Sequence, residues 1–200
     1  VRHGKSRGLR MATIPAATDC LTRELVQSLK GAGLDQMAVS IDFPRADLHD
    51  GFRGVPGAFE KTMQAVRWAH EAGLPLQVNT TVCGDTAPYL EEMAEFVQGL
   101  GIVFWEVFFL VPMGRGSVLT GLSASECEWL FEVIYRVQKK EGFIVKVTEA
   151  PHYRRHVAQR EMKDEGAPSA RPEGLAAMPA RLTQSEGPGH TVGLAPRGVN

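Results

Sequence analysis

Cysteine is scarce in this 200-residue chain, and its three copies are scattered. Cys20, Cys83 and Cys127 lie far apart, and no C-x-x-C pair occurs. So few thiols argue against a disulfide framework. An iron–sulfur cluster needs several thiolates from a compact motif, and no such motif is present. The six histidines also lack metal-ligand spacing, so no metal ligands are predicted within the chain.

The sequence also lacks strong charge, long apolar runs and phosphate-binding motifs. A formal net charge of −1 gives no electrostatic case for binding nucleic acid or a membrane surface. No apolar run approaches the roughly 20 residues that a membrane span needs, and no signal-peptide pattern opens the chain. We therefore expect no nucleic-acid or membrane partner and a cytoplasmic location. G-x-S-x-G, P-loop and dinucleotide-binding patterns are absent as well.

What is present is a regular alternation of short apolar runs and segments with helical periodicity. Strands are predicted at 9–14, 36–41, 76–82, 102–111 and 143–148, and helices at 22–31, 58–72, 88–100 and 124–140. Thr22 is the expected cap of the first helix, and Ser123 with Glu126 forms a capping box. The alternation predicts an α/β fold with a parallel sheet. A doubly wound sheet and a curved partial barrel both remain open.

The composition changes after about Pro151. The last 35 residues or so are dominated by Gly, Pro and Ala, with isolated apolar residues. Such a stretch buries too little apolar surface to offset its ordering entropy. We therefore expect an α/β domain over 1–150 and a linker or irregular segment over 151–200.

Polar residues follow two neighbouring predicted strands and carry the strongest functional signal. Ser40 and Asp42 end one strand, and Asn79 and Thr81 lie near the end of the next. Residues two apart on a strand share a face, and the carboxyl ends of parallel strands line the ligand cleft. Hydroxyl, carboxylate and amide groups there suit a ribose or the amino group of an amino acid. The alternative is that they only satisfy the backbone of nearby loops.

Two turns supply arginines near the same edge. Arg53 lies in an Arg-Gly turn, and Arg115 lies between two glycines after the aromatic strand. Either guanidinium can reach a carboxylate or phosphate, or remain structural. Leu110 and Val111 end that aromatic strand.

The string that begins at Ser40, S-I-D-x-P…H-D-x-F-R-G-V-P-G-x-F, resembles the middle of radical S-adenosylmethionine (SAM) enzymes, especially those with a C-terminal SPASM-type extension. The resemblance implies a partial (β/α)6 TIM-like barrel, of which this chain supplies strands 3 to 6 and beyond. It also implies that Ser40 and Asp42 contact the SAM ribose and methionyl group. Asn79 and Thr81, in an N-x-x-V pattern, would add to that site. Leu110 and Val111 would lie against the adenine.

The resemblance further implies the chemistry of the intact protein. A [4Fe–4S] cluster would donate an electron to SAM, and the resulting 5′-deoxyadenosyl radical would abstract hydrogen from a peptide or a cofactor precursor. A reductant such as flavodoxin or ferredoxin would supply the electron. The cluster-binding C-x-x-x-C-x-x-C and the Gly-Gly-acidic motif are absent from this sequence. We therefore expect the cluster ligands to lie outside this chain, and the chain alone to be inactive, cluster-free and poorly soluble.

Two other readings stay open at this point. One is a different (β/α) barrel enzyme that acts on a phosphorylated small molecule, which needs a strand-end lysine or a phosphate cradle. The other is a degenerate binding module without catalytic activity. Detectable SAM binding separates the radical SAM interpretation from both.

Overall fold

The computed structural model describes residues 1–140 and 142–162, apart from the side chain of Arg115, so the predicted linker over 163–200 lies outside the described residues. Its five strands are β1 (Ala12–Thr13), β2 (Gln36–Ser40), β3 (Leu76–Val82), β4 (Phe104–Phe109) and β5 (Ile144–Thr148). The α-helices of this part are α1 (Arg2–Ser6), α2 (Arg23–Gly31), α3 (Ala46–Arg53), α4 (Ala58–Glu71), α5 (Leu90–Gly99), α6 (Ala124–Lys140) and α7 (Tyr153–Met162). Short 3-10 turns cover Ala87–Tyr89 and Gly114–Val118.

The strand order resolves the choice between a doubly wound sheet and a barrel. All strands are parallel, and each pairs with the next one along the chain, in the order β1-β2-β3-β4-β5. A doubly wound sheet reverses its strand order at a switch point, and this sheet has no reversal among its described strands. Right-handed crossovers then place the connecting helices on one side, as in a barrel wall. The predicted parallel α/β sheet is confirmed, in its partial-barrel form.

Side-chain alternation gives the sheet two different faces. On β4, Trp105, Val107 and Phe109 are buried against the helices, whereas Phe104, Glu106 and Phe108 are half-buried on the other side. We call this second side the open face. The core therefore lies between the sheet and the helices, and the open face carries polar and aromatic groups.

Local capping signals in the sequence are confirmed. The Thr22 hydroxyl oxygen accepts the Leu25 N–H at 3.2 Å. The Ser123 N–H donates to Glu126 Oε2 at 2.6 Å, and the Glu126 N–H donates back to Ser123 Oγ at 3.3 Å. These contacts depend on neighbours in sequence, which is why the pattern alone predicts them.

Two helices lie where the sequence predicts loop or linker. Helix α3 occupies the segment after β2 that we expected to be a loop, and α7 begins just after the predicted domain boundary at residue 150. Helix α7 packs on α6, where Arg160 Nε lies 3.1 Å from Glu132 Oε2 and His156 Nε2 lies 3.3 Å from the same oxygen. Because the buried residues of α7 are Tyr153 and His156 rather than a stripe of aliphatic side chains, helical hydrophobic periodicity does not reveal this helix. Nowhere in residues 1–140 and 142–162 is a helix both long and apolar enough to cross a bilayer.

Candidate functional site

The polar strand-end residues meet at one edge of the sheet. Ser40 pairs in register with Asn79, and Thr81 pairs with Phe108 on the neighbouring strand. The Leu110 N–H donates to the Val82 carbonyl at 2.9 Å, which extends the β3–β4 ladder just past β4. The predicted groups on three consecutive strands therefore lie along a single carboxyl edge.

Asp42 differs from Ser40 because protein groups already occupy its carboxylate. Its side chain is almost fully buried. Oδ1 accepts the backbone N–H of Thr81 at 2.9 Å, and Oδ2 lies 2.6 Å from Arg53 Nη2. The carboxylate thus links the end of β2 to β3 and to α3. The expected joint Ser–Asp surface does not form, since only Ser40 remains accessible.

His49 accepts a hydrogen bond from the backbone of Asp42, a role that sequence reasoning did not assign. Its Nδ1 accepts the backbone N–H of Asp42 at 3.2 Å and lies 3.9 Å from Asp42 Oδ2. Burial lowers the pKa of His49, and the nearby Arg53 charge adds to that effect, although the Asp42 carboxylate opposes it. The ring is therefore neutral near pH 7, with its hydrogen on Nε2 because Nδ1 is an acceptor. His49 is the first residue of the H-D-x-F-R-G string, and this motif is the sequence signal that could have identified it as part of the site.

The R-G-V-P-G turn after α3 is fixed by Asp50. Its carboxylate accepts the N–H of Gly57 at 2.5 Å and the N–H of Phe59 at 2.7 Å, at the start of α4. Gly54 and Gly57 have φ of 65° and 75°, a left-handed conformation that favours glycine. This turn sets where Arg53 projects.

A cavity of about 300 Å³ opens beside Ser40. Its polar groups at the sheet edge and on α3 are Ser40, His49 and Arg53, and the Arg53 side chain is 37 % exposed. The rest of the wall is mostly apolar and comes from the loop after β1, from β2, from the turn before α4 and from the start of α4. It includes Ile14, Pro15, Ala16, Ala17, Val39, Val55 and Ala58. The cavity can hold a small ligand with a polar end, near the lower limit of ligand-site volumes.

A hydrogen-bond network extends from Asn79 across the open face. Gln77 Nε2 donates to Asn79 Oδ1 at 2.7 Å and to Glu106 Oε2 at 2.8 Å. Glu106 Oε1 accepts from Lys146 Nζ at 2.6 Å and from Thr148 Oγ1 at 2.8 Å. Partial burial opposes ionisation of Glu106, but these hydrogen bonds outweigh it and hold its pKa below the ordinary value. Sequence reasoning missed Glu106, since nothing local marks it as part of a network.

The end of β4 supplies an apolar edge. Val111 is exposed and Leu110 half-buried. A Cβ at Gly116 would lie 3.2 Å from Leu110 Cδ1, so the backbone approaches this edge closely, as the glycine predicts. The side chain of Arg115, another predicted site residue, lies outside the described part of the chain.

The described residues do not fit an iron–sulfur cluster. Cys20 is exposed, Cys83 buried and Cys127 half-buried, and burial raises the pKa of both Cys83 and Cys127. Within residues 1–140 and 142–162, no group of three or more His, Cys, Asp or Glu side chains is placed to hold a metal ion. A cluster needs several convergent thiolates.

Sequence comparison finds a family model and several curated relatives that are similar to this chain. Residues 3–97 match the family model described as the Radical SAM superfamily. The chain is 39 % identical over 170 residues to the AdoMet-dependent heme synthase of Oleidesulfovibrio alaskensis, covering 84 % of this chain and 43 % of the relative. It is 38 % identical over 177 residues to the enzyme of that name from Methanosarcina barkeri, covering 88 % and 50 %. A PqqA peptide cyclase of Methylocella silvestris is 34 % identical over 118 residues, covering 59 % and 31 %. The chain thus spans at most about half the length of these curated relatives.

Structural comparison supports the same fold. Streptococcus suis SuiB matches with a TM-score of 0.62 at 12 % identity, over 82 % of this chain and 38 % of that protein. SuiB bound to S-adenosylmethionine matches with a TM-score of 0.58 at 13 % identity, over 72 % and 34 %. These structural matches concern the fold. The family-model match and the sequence similarity to the AdoMet-dependent heme synthases show that the chain belongs to the radical SAM superfamily, whose members use SAM and a [4Fe–4S] cluster.

Proposed function

We propose that this chain is the SAM-binding part of a radical SAM enzyme that acts on a tetrapyrrole. The observation that carries the proposal is the similarity to heme synthases, which extends over most of this chain and includes the strand-end residues. When bound and reduced by one electron, SAM supplies a 5′-deoxyadenosyl radical that abstracts a substrate hydrogen. The cluster and an external reductant, such as flavodoxin or ferredoxin, complete the proposed system.

The chain's own residues bind and orient SAM in this proposal. The hydroxyls of Ser40 and Thr81 and the Asn79 amide lie along one sheet edge and suit the ribose and the methionyl group. Asp42 acts through its partners, because it fixes the Thr81 backbone and pairs with Arg53.

Two further groups complete the SAM site. Arg53 reaches the cavity and can pair with a ligand carboxylate. Leu110 and Val111 offer the apolar edge against which an adenine ring packs.

Calorimetric titration of SAM into the whole protein, purified anaerobically with its cluster, tests this assignment. Ser40→Ala and Thr81→Val each remove a hydroxyl, and Thr81→Val keeps the backbone N–H that Asp42 accepts. Losing one ligand hydrogen bond of about 1–1.5 kcal/mol corresponds to roughly tenfold weaker binding. The control is Ser28→Ala on the exposed side of α2, which should bind like wild type. Wild-type affinity in both site variants would refute the assignment.

A peptide-modifying enzyme is the second candidate. The similarity to PqqA peptide cyclases favours it, although those matches cover less of this chain. Incubation of the reduced enzyme with an iron porphyrin or with a precursor peptide, followed by mass spectrometry, distinguishes the two. Loss of mass from the porphyrin side chains supports the first candidate, and a cross-linked peptide supports the second. A degenerate binding module would modify neither and would show no SAM binding in the titration described above.

A further inference from the structure

The open face carries one charged pair whose two members differ sharply in exposure. Of the described residues on β2 to β5 that face this side, Glu106 is the one anion and Lys146 the one cation. The Glu106 side chain is 12 % exposed and the Lys146 side chain 56 % exposed. The Lys146 ammonium is therefore accessible from the open face, whereas the Glu106 carboxylate is largely enclosed.

Both oxygens of Glu106 accept hydrogen bonds from protein side chains, whereas Lys146 uses part of its donor capacity. The two carboxylate oxygens of Glu106 accept hydrogen bonds from the side chains of Gln77, Lys146 and Thr148. An ammonium group has three N–H donors, and the contact with Glu106 at 2.6 Å uses one of them. Glu106 therefore orients Lys146 and leaves donors directed toward the open face.

Lys146 lies beside the proposed SAM edge rather than within it. Ser40, Asn79, Glu106 and Lys146 form one register row across β2, β3, β4 and β5. Asn79 is the proposed SAM residue of this row that lies nearest to Lys146, and two strand intervals of about 4.8 Å separate the two by roughly 10 Å along the sheet. That separation leaves room for a substrate next to SAM.

Two aromatic side chains flank the pair on the same face. Phe104 and Phe108 stand two residues before and after Glu106, and both are half-buried. Residues spaced by two on a strand project to the same side. Phenyl rings provide apolar faces for a planar ligand, next to a cation for a carboxylate.

We propose that Lys146, oriented by Glu106, binds a carboxylate of a planar tetrapyrrole substrate whose ring packs against Phe104 and Phe108. This inference rests on the proposed function and names the residues that hold its substrate. Lys146 acts as a binding residue and Glu106 as a positioning residue. A substrate without carboxylates gains nothing from this arrangement.

Coproporphyrin III, which carries four carboxylates, is the probe. It is titrated into the whole protein and followed by its visible absorbance. Lys146→Met should weaken binding at least tenfold, and Lys146→Arg should restore it to within about threefold. Lys139→Met is the matched control, because Lys139 is 52 % exposed and also pairs with a glutamate. It should bind like wild type.

The tetramethyl ester of the same porphyrin keeps the planar ring but has no carboxylate charge, so it tests whether binding depends on the charge or on the shape of the ligand. Wild type should bind the ester at least tenfold more weakly than the acid, and Lys146→Met should bind both alike. This comparison needs no variant, so a folding defect in Lys146→Met does not leave the idea untested. Equal binding of acid and ester by wild type, or wild-type acid binding by Lys146→Met, would overturn it. SAM affinity is measured in parallel: its persistence in Lys146→Met keeps the proposed function separate from this inference.

Discussion

Asp42→Asn tests whether the carboxylate of the Ser-x-Asp pair organises the site from within the protein. In the structure, Oδ1 accepts the Thr81 N–H and Oδ2 pairs with Arg53. Asparagine keeps the shape and one oxygen acceptor, but it loses the charge. Its amide nitrogen would also replace an oxygen 2.6 Å from the Arg53 guanidinium, which sets donor against donor.

The expected loss of stability has two parts. A hydrogen bond to a charged acceptor contributes roughly 1.5–3 kcal/mol and a neutral one about 1, so the Thr81 contact should lose about 1 kcal/mol. Breaking a fully buried ion pair costs roughly 3–5 kcal/mol and an exposed one about 0–1. Because Arg53 is 37 % exposed, an intermediate loss of about 1–2 kcal/mol applies to that pair. The total of about 2–3 kcal/mol lowers Tm by roughly 5–10 °C in a domain of this size.

Urea unfolding followed by far-UV circular dichroism measures this loss, with SAM calorimetry on the same variant. Asp19→Asn is the control, since Asp19 is highly exposed although it pairs with Lys61 at 2.6 Å. It should change stability by less than about 1 kcal/mol. If Asp42→Asn left stability within about 0.5 kcal/mol of wild type but abolished SAM binding, the carboxylate would act directly on the ligand. The positioning argument would then be refuted.

Two other predictions concern the helix that follows β2. Asp50→Ala should cost about 2 kcal/mol of unfolding free energy, because both the Gly57 and Phe59 N–H groups lose their acceptor; a change below about 0.5 kcal/mol in urea unfolding would contradict this. The pKa of His49 in the native state lies below 6.5, the ordinary histidine value. As the pH falls below 6.5, the unfolded state binds a proton that the native state resists, and the native state loses stability. The contribution of His49 to stability is therefore complete above pH 6.5. His49→Gln should therefore flatten the fall in stability as the pH drops below 6.5, as measured by urea unfolding at a series of pH values. An unchanged slope would contradict this assignment.

The parts of the fold that the sequence predicts are those set by local rules. The bounds of β3 agree with the strand predicted at 76–82, and the helix caps at Thr22 and Ser123 follow from side chains within three residues. The short β1 is the exception among the strands. Six apolar and polar residues predict it, yet Ala12–Thr13 alone pairs with β2. Pairing depends on the neighbouring strand, which local propensity does not include.

In the candidate site, too, the features set by local spacing are predictable from the sequence and those set by contacts between distant segments are not. The spacing of Ser40 and Asn79 places both on one sheet edge, and the register confirms it. The Glu106–Lys146 contact joins residues 40 positions apart, so no local pattern marks it. Only the parallel register of β4 and β5, which sets these two side by side, creates the pair.

Helix α3 explains why a Ser-x-Asp pattern alone does not predict which side chain meets a ligand. Strand geometry puts both side chains on one face, but the chain after β2 turns back over only one of them. Phe43 directs this turn: fully buried, it makes edge-to-face contacts with Phe52, at 5.6 Å between ring centroids, and with Tyr89, at 5.3 Å. Those contacts hold α3 against the sheet, so that its His49 and Arg53 enclose Asp42 and leave Ser40 open to the cavity. A smaller residue at 43 would loosen α3 and expose the carboxylate. The burial of Asp42 and the accessibility of Ser40 therefore both depend on the aromatic side chain of Phe43.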